Sequence, residues 1–393
     1  MPSASLLTLL LCSALASERI IISNVLPRQT RDHQPVFGAG SSFVNTRVPA
    51  VCGWSDTKLC LMMVTLEHGG NCSLTSPGGS CAAGKYGECG FSEGRILTYV
   101  SSDLSSSYWG TPVELLPMGP GTPARPKGTY SRPHLLFSHA SATYTLWVAW
   151  RAPDAAPSDP GSLLVASCTG EACPSSAFTV LQERAPTALP TSGAAAALFV
   201  DSGASEAYLV HTVAASAGGG VVVERLAADW GSSAAAAEGE EGAAPAQRSQ
   251  VLHLPGGDAV AGGECDSPSM FKRGGVYYVL FGARCCYCSG GTETHAFAAL
   301  APLGPYEYVG ALGSAAVLGA QQDAILVHED VEYVLWTGSV WKRDTLAAMG
   351  WGGLDYTPQH WAALDFYAGE RPELPSIRPL VFHESFTCVV ATP

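Results

Sequence analysis

One supersecondary unit recurs along this chain: an apolar triplet, a short polar turn, then a strand rich in aromatic and branched residues. It reads Leu135-Leu136-Phe137 before Tyr144-Thr145-Leu146-Trp147-Val148, and Leu198-Phe199-Val200 before Ala207-Tyr208-Leu209-Val210. It returns as Met270-Phe271 before Tyr277-Tyr278-Val279-Leu280-Phe281, and as Ile325-Leu326-Val327 before Tyr333-Val334-Leu335-Trp336. A degenerate first copy stands at Ser42-Phe43-Val44 and Leu59-Cys60-Leu61-Met62-Met63-Val64. A third strand follows in most copies, at Arg95–Val100, Ser162–Ala166, Gly220–Glu224 and Thr294–Ala298. Small antiparallel sheets repeated at this period cannot each hold a core alone, and radial stacking gives every sheet two neighbours. The expected fold is therefore all-β, a five-bladed β-propeller. A pair of β-sandwiches would explain the strands but not their five recurrences.

Composition agrees with a turn-rich β protein: 43 glycines and 27 prolines among 393 residues, 47% hydrophobic and only 14% charged. The net charge is −13 and the 21 Lys and Arg form no cluster, so the electrostatic footprint of a nucleic-acid binder is missing. A neutral or weakly charged ligand fits better. Two stretches, Pro153–Pro160 and Ser232–Ala246, are rich in Ala, Gly, Ser and Pro and are expected as loops inserted between strands.

Leu6–Ala16 is a short apolar run ending in Ala14-Leu15-Ala16, the small-x-small pattern of a secretory cleavage site. It is too short to span a bilayer. The expected organisation is a leader over residues 1–16 and a single exported, secreted domain over 17–393, with no membrane association. Thirteen cysteines are present, and removing Cys12 with the leader leaves an even number. Five of them fall between Cys52 and Cys89, a Gly- and Ser-rich insertion that disulfides would hold, and Asn71-Cys72-Ser73 is a lone glycosylation sequon. The cluster Cys285-Cys286-Tyr287-Cys288 has a C-x-x-C spacing, but an exported chain favours disulfides over zinc. No metal or other cofactor is expected, and a closed propeller demands no partner subunit, so a monomer is expected.

The sharpest copy of the repeat runs from Glu264 to Tyr308. Its two strands, Ser269–Phe271 and Val276–Phe281, flank the tetrad Lys272-Arg273-Gly274-Gly275, a hairpin signal. The acidic Glu264-Cys265-Asp266-Ser267-Pro268 precedes the hairpin, and a turn Ala301-Pro302-Leu303-Gly304-Pro305-Tyr306 follows it. Carboxylates on a segment that leads into a buried strand point to a site.

This arrangement resembles the fourth blade of the propellers of glycoside hydrolase family 43, especially the branch with exo-β-1,3-galactanases. There a Glu-Ala-Pro acid motif precedes a Met-Phe-Lys-Arg-x-Gly-x-Tyr-Tyr hairpin and a Pro-Leu-Gly-Pro-Tyr turn. The resemblance extends from about Asn24 to Phe366 and places the general acid at Asp266, where the family has Glu. Asp is one methylene shorter, so Glu264 could reach in instead, and a turn-capping role for Asp266 is the simplest alternative. The family's Glu-Arg-Pro-Lys reads Ser131-Arg132-Pro133-His134 here, keeping Arg132 as a substrate contact but losing the carboxylate that would raise the acid's pKa. The resemblance implies a water-holding Gln at Gln321 or Gln322, with Asp323 beside them as a conventional base and a strand-ordering role for the glutamines as the alternative. Tyr333–Trp341 is similar to the family's Trp-x-Gly-Asp-Arg-Trp, its Asp-Arg replaced by Ser339-Val340. Asp201 matches a turn position of the third blade and is read as a turn residue. Tyr287, Trp341 and Trp351 are the aromatic candidates for stacking on a sugar face.

Two functions follow. One is a secreted hydrolase of β-galactan or a related polysaccharide by inverting attack of water, with carbohydrate as its partner. The other is a family member that has lost turnover and binds glycans, which the changes at Ser131, Asp266 and Ser339-Val340 favour.

Overall fold

The computed structural model describes residues 17–23, 42–43, 61–67, 95–101, 113–117, 126–138, 140–152, 161–174, 178–201, 205–237, 247–255, 267–282, 291–315, 319–328, 333–340, 359–369, 371–381 and 385–391. The leader, the five cysteines from Cys52 to Cys89, the sequon, the Cys285–Cys288 cluster and Pro153–Pro160 lie outside them, whereas residues 61–67 within that insertion form a strand.

Strand β1 (Ser17–Ser23) pairs antiparallel with the last strand, β22 (Ser385–Ala391). Between them the chain makes a series of antiparallel meanders. The first is β2 (Ser42–Phe43), β3 (Leu61–Glu67), β4 (Arg95–Ser101) and β5 (Val113–Glu114). The second is β6 (Thr129–Ser138), β7 (Thr143–Arg151), β8 (Ser162–Thr169) and β9 (Thr179–Gln182). The third is β10 (Thr191–Asp201), β11 (Glu206–Val213) and β12 (Val221–Arg225). The fourth is β13 (Ser269–Arg273), β14 (Val276–Gly282), β15 (Thr294–Ala299) and β16 (Glu307–Ala311). Then come β17 (Ala320–His328), β18 (Tyr333–Val340) and β19 (Gln359–Ala363), and a small pair, β20 (Phe366–Tyr367) with β21 (Ser376–Ile377).

The first strands of these meanders touch in succession: β2 with β6, β6 with β10, β10 with β13, β13 with β17, and β17 again with β2. The arrangement is an all-β propeller, not the paired sandwich. Successive side chains on a strand point to opposite faces, and here both faces are buried. On β7, Leu146 and Val148 pack toward Ile96 and Leu115 of the preceding sheet, while Trp147 and Ala149 pack with Ala207 and Leu209 of the next. On β14, Tyr277 and Val279 join Tyr208 and Val223, whereas Tyr278 and Leu280 join Val334 and Trp336.

The hairpin of β13 and β14 forms with Met270 opposite Val279, but the loop is shorter than the sequence implies. Lys272 and Arg273 continue the strand, and Gly274 and Gly275 alone turn the chain, at φ of +56° and +81°. A two-residue turn with left-handed dihedrals at both positions matches the twist of the paired strands, and glycine adopts it without strain. The expected Ser232–Ala246 loop is ordered at its start: Ser233 is fully buried and bridges Leu226, and Ala234–Ala237 form one helical turn. One disulfide occurs among the described residues, Cys168 to Cys173, across a five-residue separation at the end of β8.

Among the described residues, two acids buried between sheets draw partners from neighbouring elements. Asp201 ends β10 as more than a turn residue: it takes Lys272 Nζ at 2.9 Å and the Tyr277 hydroxyl at 2.5 Å, joining the third meander to the fourth. Glu224 and His211 are both fully buried, with His211 Nε2 2.9 Å from Glu224 Oε1. Glu224 also accepts the backbone N–H groups of Ala188 (2.9 Å) and Leu189 (3.2 Å), fixing the segment that leads into β10. Burial alone would raise the Glu224 pKa, but the bonds from His211 and Ala188 outweigh it and hold the carboxyl below its ordinary value.

Glu224→Ala should lower unfolding free energy by about 3–5 kcal/mol, because it strands a buried imidazole and two N–H groups. Denaturant titration measures this. A carboxyl depressed on folding stabilises above its unfolded pKa and loses that contribution as pH falls through the folded value. Wild-type stability should therefore drop below about pH 4, and more steeply than that of Glu224→Gln.

Candidate active site

Three of the inner strands depart from regular pairing near their starts. β6 has a bulge between Ser131 and His134, β17 has one between Gln322 and Ala324, and the register of β10 shifts between Thr191 and Ala196. Bulges re-aim side chains and are common beside active sites. Two residues here have left-handed backbone despite carrying side chains, Arg132 at φ +50° and Ser267 at +35°. Each precedes a proline, which restricts it further toward extended conformations. Strain of this kind costs about 1–3 kcal/mol per residue and persists only where the surroundings impose it. Each of the two also directly follows a residue singled out by the sequence, Ser131 and Asp266.

What imposes the conformation of Ser267 is visible. Gln322 Nε2 donates to the Ser267 carbonyl at 2.6 Å, and Gln321 Nε2 donates to the Ser267 hydroxyl at 3.1 Å. Gln322 Nε2 also lies 3.4 Å from the Leu280 carbonyl, and its Oε1 accepts the indole N–H of Trp336 at 3.2 Å. Both glutamines are buried, 2% and 1% exposed. Glycine at 338 permits this geometry: a Cβ there would lie 2.1 Å from the Trp336 ring and 2.8 Å from the Gln321 carbonyl. Thr337 closes the adjacent bulge, its hydroxyl accepting from Ala324 N–H at 3.2 Å and donating to Ala324 O at 3.1 Å. Asp323 sits in that bulge and is buried.

Across the ring, Arg132 is 5% exposed. Its charge acts on His134, a partly buried residue on the same strand. Burial first, and then Arg132, hold the His134 pKa down to about 3, against a hydrogen bond to the Ala196 backbone that favours the charged form. The imidazole is neutral throughout the physiological range.

Of the residues expected at the site, Gln321, Gln322 and Arg132 are described, and the two glutamines meet at Ser267. Asp266, Glu264, Tyr287, Trp341 and Trp351 lie outside the described residues. Sequence reasoning missed Ser267, Trp336, Gly338 and His134 as parts of the site. A usable signal was present in the two x-Pro steps after Ser131 and Asp266, and in the Trp336-x-Gly338 spacing opposite the glutamines.

The sequence matches no protein-family model and no curated protein. Solved structures do match. An exo-β-1,3-galactanase from Clostridium thermocellum superimposes with a TM-score of 0.60 over 93% of this chain, at 13% identity. The fold is that of the family-43 glycoside hydrolases. An exo-β-1,3-galactanase from Phanerochaete chrysosporium, solved with galactose, gives 0.56 over 90% of this chain at 15% identity. A thermostable family-43 glycoside hydrolase gives 0.53 over 88% at 13% identity, with 95% of its own length covered. The chain spans only 66% and 65% of the two galactanase chains.

Gly338→Ala should displace the Trp336 ring, break its bond to Gln322 and destabilise the protein by about 1–3 kcal/mol, read by thermal or denaturant unfolding. The His134 ring resonances should show no titration between about pH 8 and 4.5 by NMR, while Arg132→Gln should move the midpoint upward.

Proposed function

We propose that this protein is a secreted glycoside hydrolase acting on β-galactan or a related polysaccharide, with water attacking by inversion. The reading takes residues 17–393 as one exported five-bladed propeller after a leader at 1–16, active as a monomer. The observation that carries it is the grip of Gln321 and Gln322 on Ser267. Those contacts join residues 54 and 55 positions apart, and they bring the segment of the expected acid against the expected water-holding amides.

In this reading Asp266 protonates the departing glycosidic oxygen, and a water held from the Gln321-Gln322 side attacks the opposite face of the sugar. An inverting pair needs about 6.5–9.5 Å between acid and base groups to admit that water. Because Ser267 is clamped through its carbonyl and its hydroxyl, the backbone beside Asp266 has little freedom, which favours a fixed acid despite its short side chain. Arg132 contributes a cation to the same rim, and Glu264, Tyr287, Trp341 and Trp351 supply the remaining sugar contacts. The likeness to galactanases supports the substrate class: the Phanerochaete enzyme has been solved with galactose and, as a variant, with β-1,3-galactotriose.

The test is hydrolysis of aryl β-galactosides and β-1,3-galactan by the purified protein, with NMR detection of the anomer released first. Asp266→Asn should reduce turnover by about 10²–10⁴-fold, the usual worth of a general acid, while leaving sugar binding in place. Binding of galactan by wild type with no product from any substrate would instead identify a glycan-binding propeller.

A further inference from the structure

Among the described residues, buried charges have partners with one exception. Glu224 is held by His211 and two N–H groups, and Asp201 by Lys272 and Tyr277. Arg132, 95% removed from solvent, makes no hydrogen bond and no ion pair among the described residues. A buried guanidinium without a counter-ion is costly and uncommon.

Among the described side chains of its own strand and of the inner strands beside it, none offers it an anion. Ser131 precedes it and Pro133 follows. The next polar group on its strand, His134, is a neutral ring. Of the inner strands that flank β6, β2 is Ser42–Phe43, and β10 carries no acid from Thr191 until Asp201 at its far end, already taken. Asp323, the buried acid of β17, stands on a strand whose inner neighbours are β13 and β2 rather than β6. The backbone at Arg132 is left-handed and bulged, so a strained conformation holds a largely buried cation beside the inner ring.

We propose that Arg132 is an anion subsite that receives the carboxylate of a terminal uronic acid on the glycan. This rests on the reading of this face as a carbohydrate site and narrows its substrate class. A guanidinium presents parallel N–H groups that match both oxygens of a carboxylate, and the interaction is strongest where water is excluded. The overall charge of −13 sets the limit. It opposes a polyanionic chain but acts weakly on a single carboxylate beyond a Debye length of about 8 Å. The fitting ligand is therefore an otherwise neutral chain with one acidic end sugar.

Calorimetric titration of the whole protein with methyl β-D-galactopyranosiduronate and methyl β-D-galactopyranoside tests this, since the two differ only in carboxylate for hydroxymethyl. Wild type should bind the uronate about tenfold or more tightly, and added salt should weaken only that sugar. Arg132→Gln should lose the preference and Arg132→Lys should keep part of it. Where either variant fails to fold, the wild-type preference and its salt dependence decide alone. Equal affinities, tighter galactoside binding, or binding of neither sugar would overturn the proposal. Release of nitrophenol from the matching aryl pair separates this from the hydrolase reading. Uronate preference without release leaves the anion subsite standing and removes the hydrolase, and release of galactoside without uronate preference does the reverse.

Discussion

The middle strands of the second, third and fourth meanders must satisfy two hydrophobic cores at once. Along β14 one set of alternate residues completes the packing with the third meander, and the other set completes the packing with the strands from β17 onward. Along β7 the same division serves the first and third meanders. A register slip of one residue would exchange the two sets and spoil both interfaces. This double demand explains why these strands read as nearly continuous apolar runs, Tyr277–Phe281 and Leu146–Ala149, instead of alternating with polar residues.

With the interiors so apolar, the few polar groups in them have to be settled locally. Asp201 and Glu224 do this by drawing partners from more than one element, so each ties neighbouring pieces of chain together as well as satisfying itself. The starts of the inner strands follow a different rule. There the pairing is broken by bulges, two residues with side chains adopt left-handed backbone, and polar groups converge. The regular part of each strand anchors the irregular part, which is what allows strained residues to persist at the rim.

Much of this was legible in the sequence because it depends on local pattern. The hairpin of Met270 and Val279, the recurrence of triplet and aromatic strand, and the third strands all follow from apolar runs punctuated by turns. The two-glycine turn was read too long because Lys272 and Arg273 are polar, yet a polar pair fits a strand end where one of them answers a buried acid. The site was legible in part. The adjacent glutamines could be picked out, but their convergence on Ser267 joins residues 54 and 55 positions apart. No periodicity encodes such a contact. The left-handed dihedrals of Arg132 and Ser267 were hidden for a related reason, since the prolines after them argue for extended backbone. Fully buried His211 and Glu224 likewise look like ordinary strand residues until their separate strands are paired.

The pairing of β1 with β22 bears on how the molecule is made. Ser17 lies opposite Ala391 and Ser23 opposite Ser385, so the first described strand finds its partner in the last. On a ribosome the later residue does not yet exist when the earlier one emerges. The successive meanders can collapse on their neighbours in the order of synthesis, but the strand that begins the series has to wait, unpaired, for nearly the whole chain to follow. During that interval the edge of β1 is unfilled, and the last described strand is what covers it.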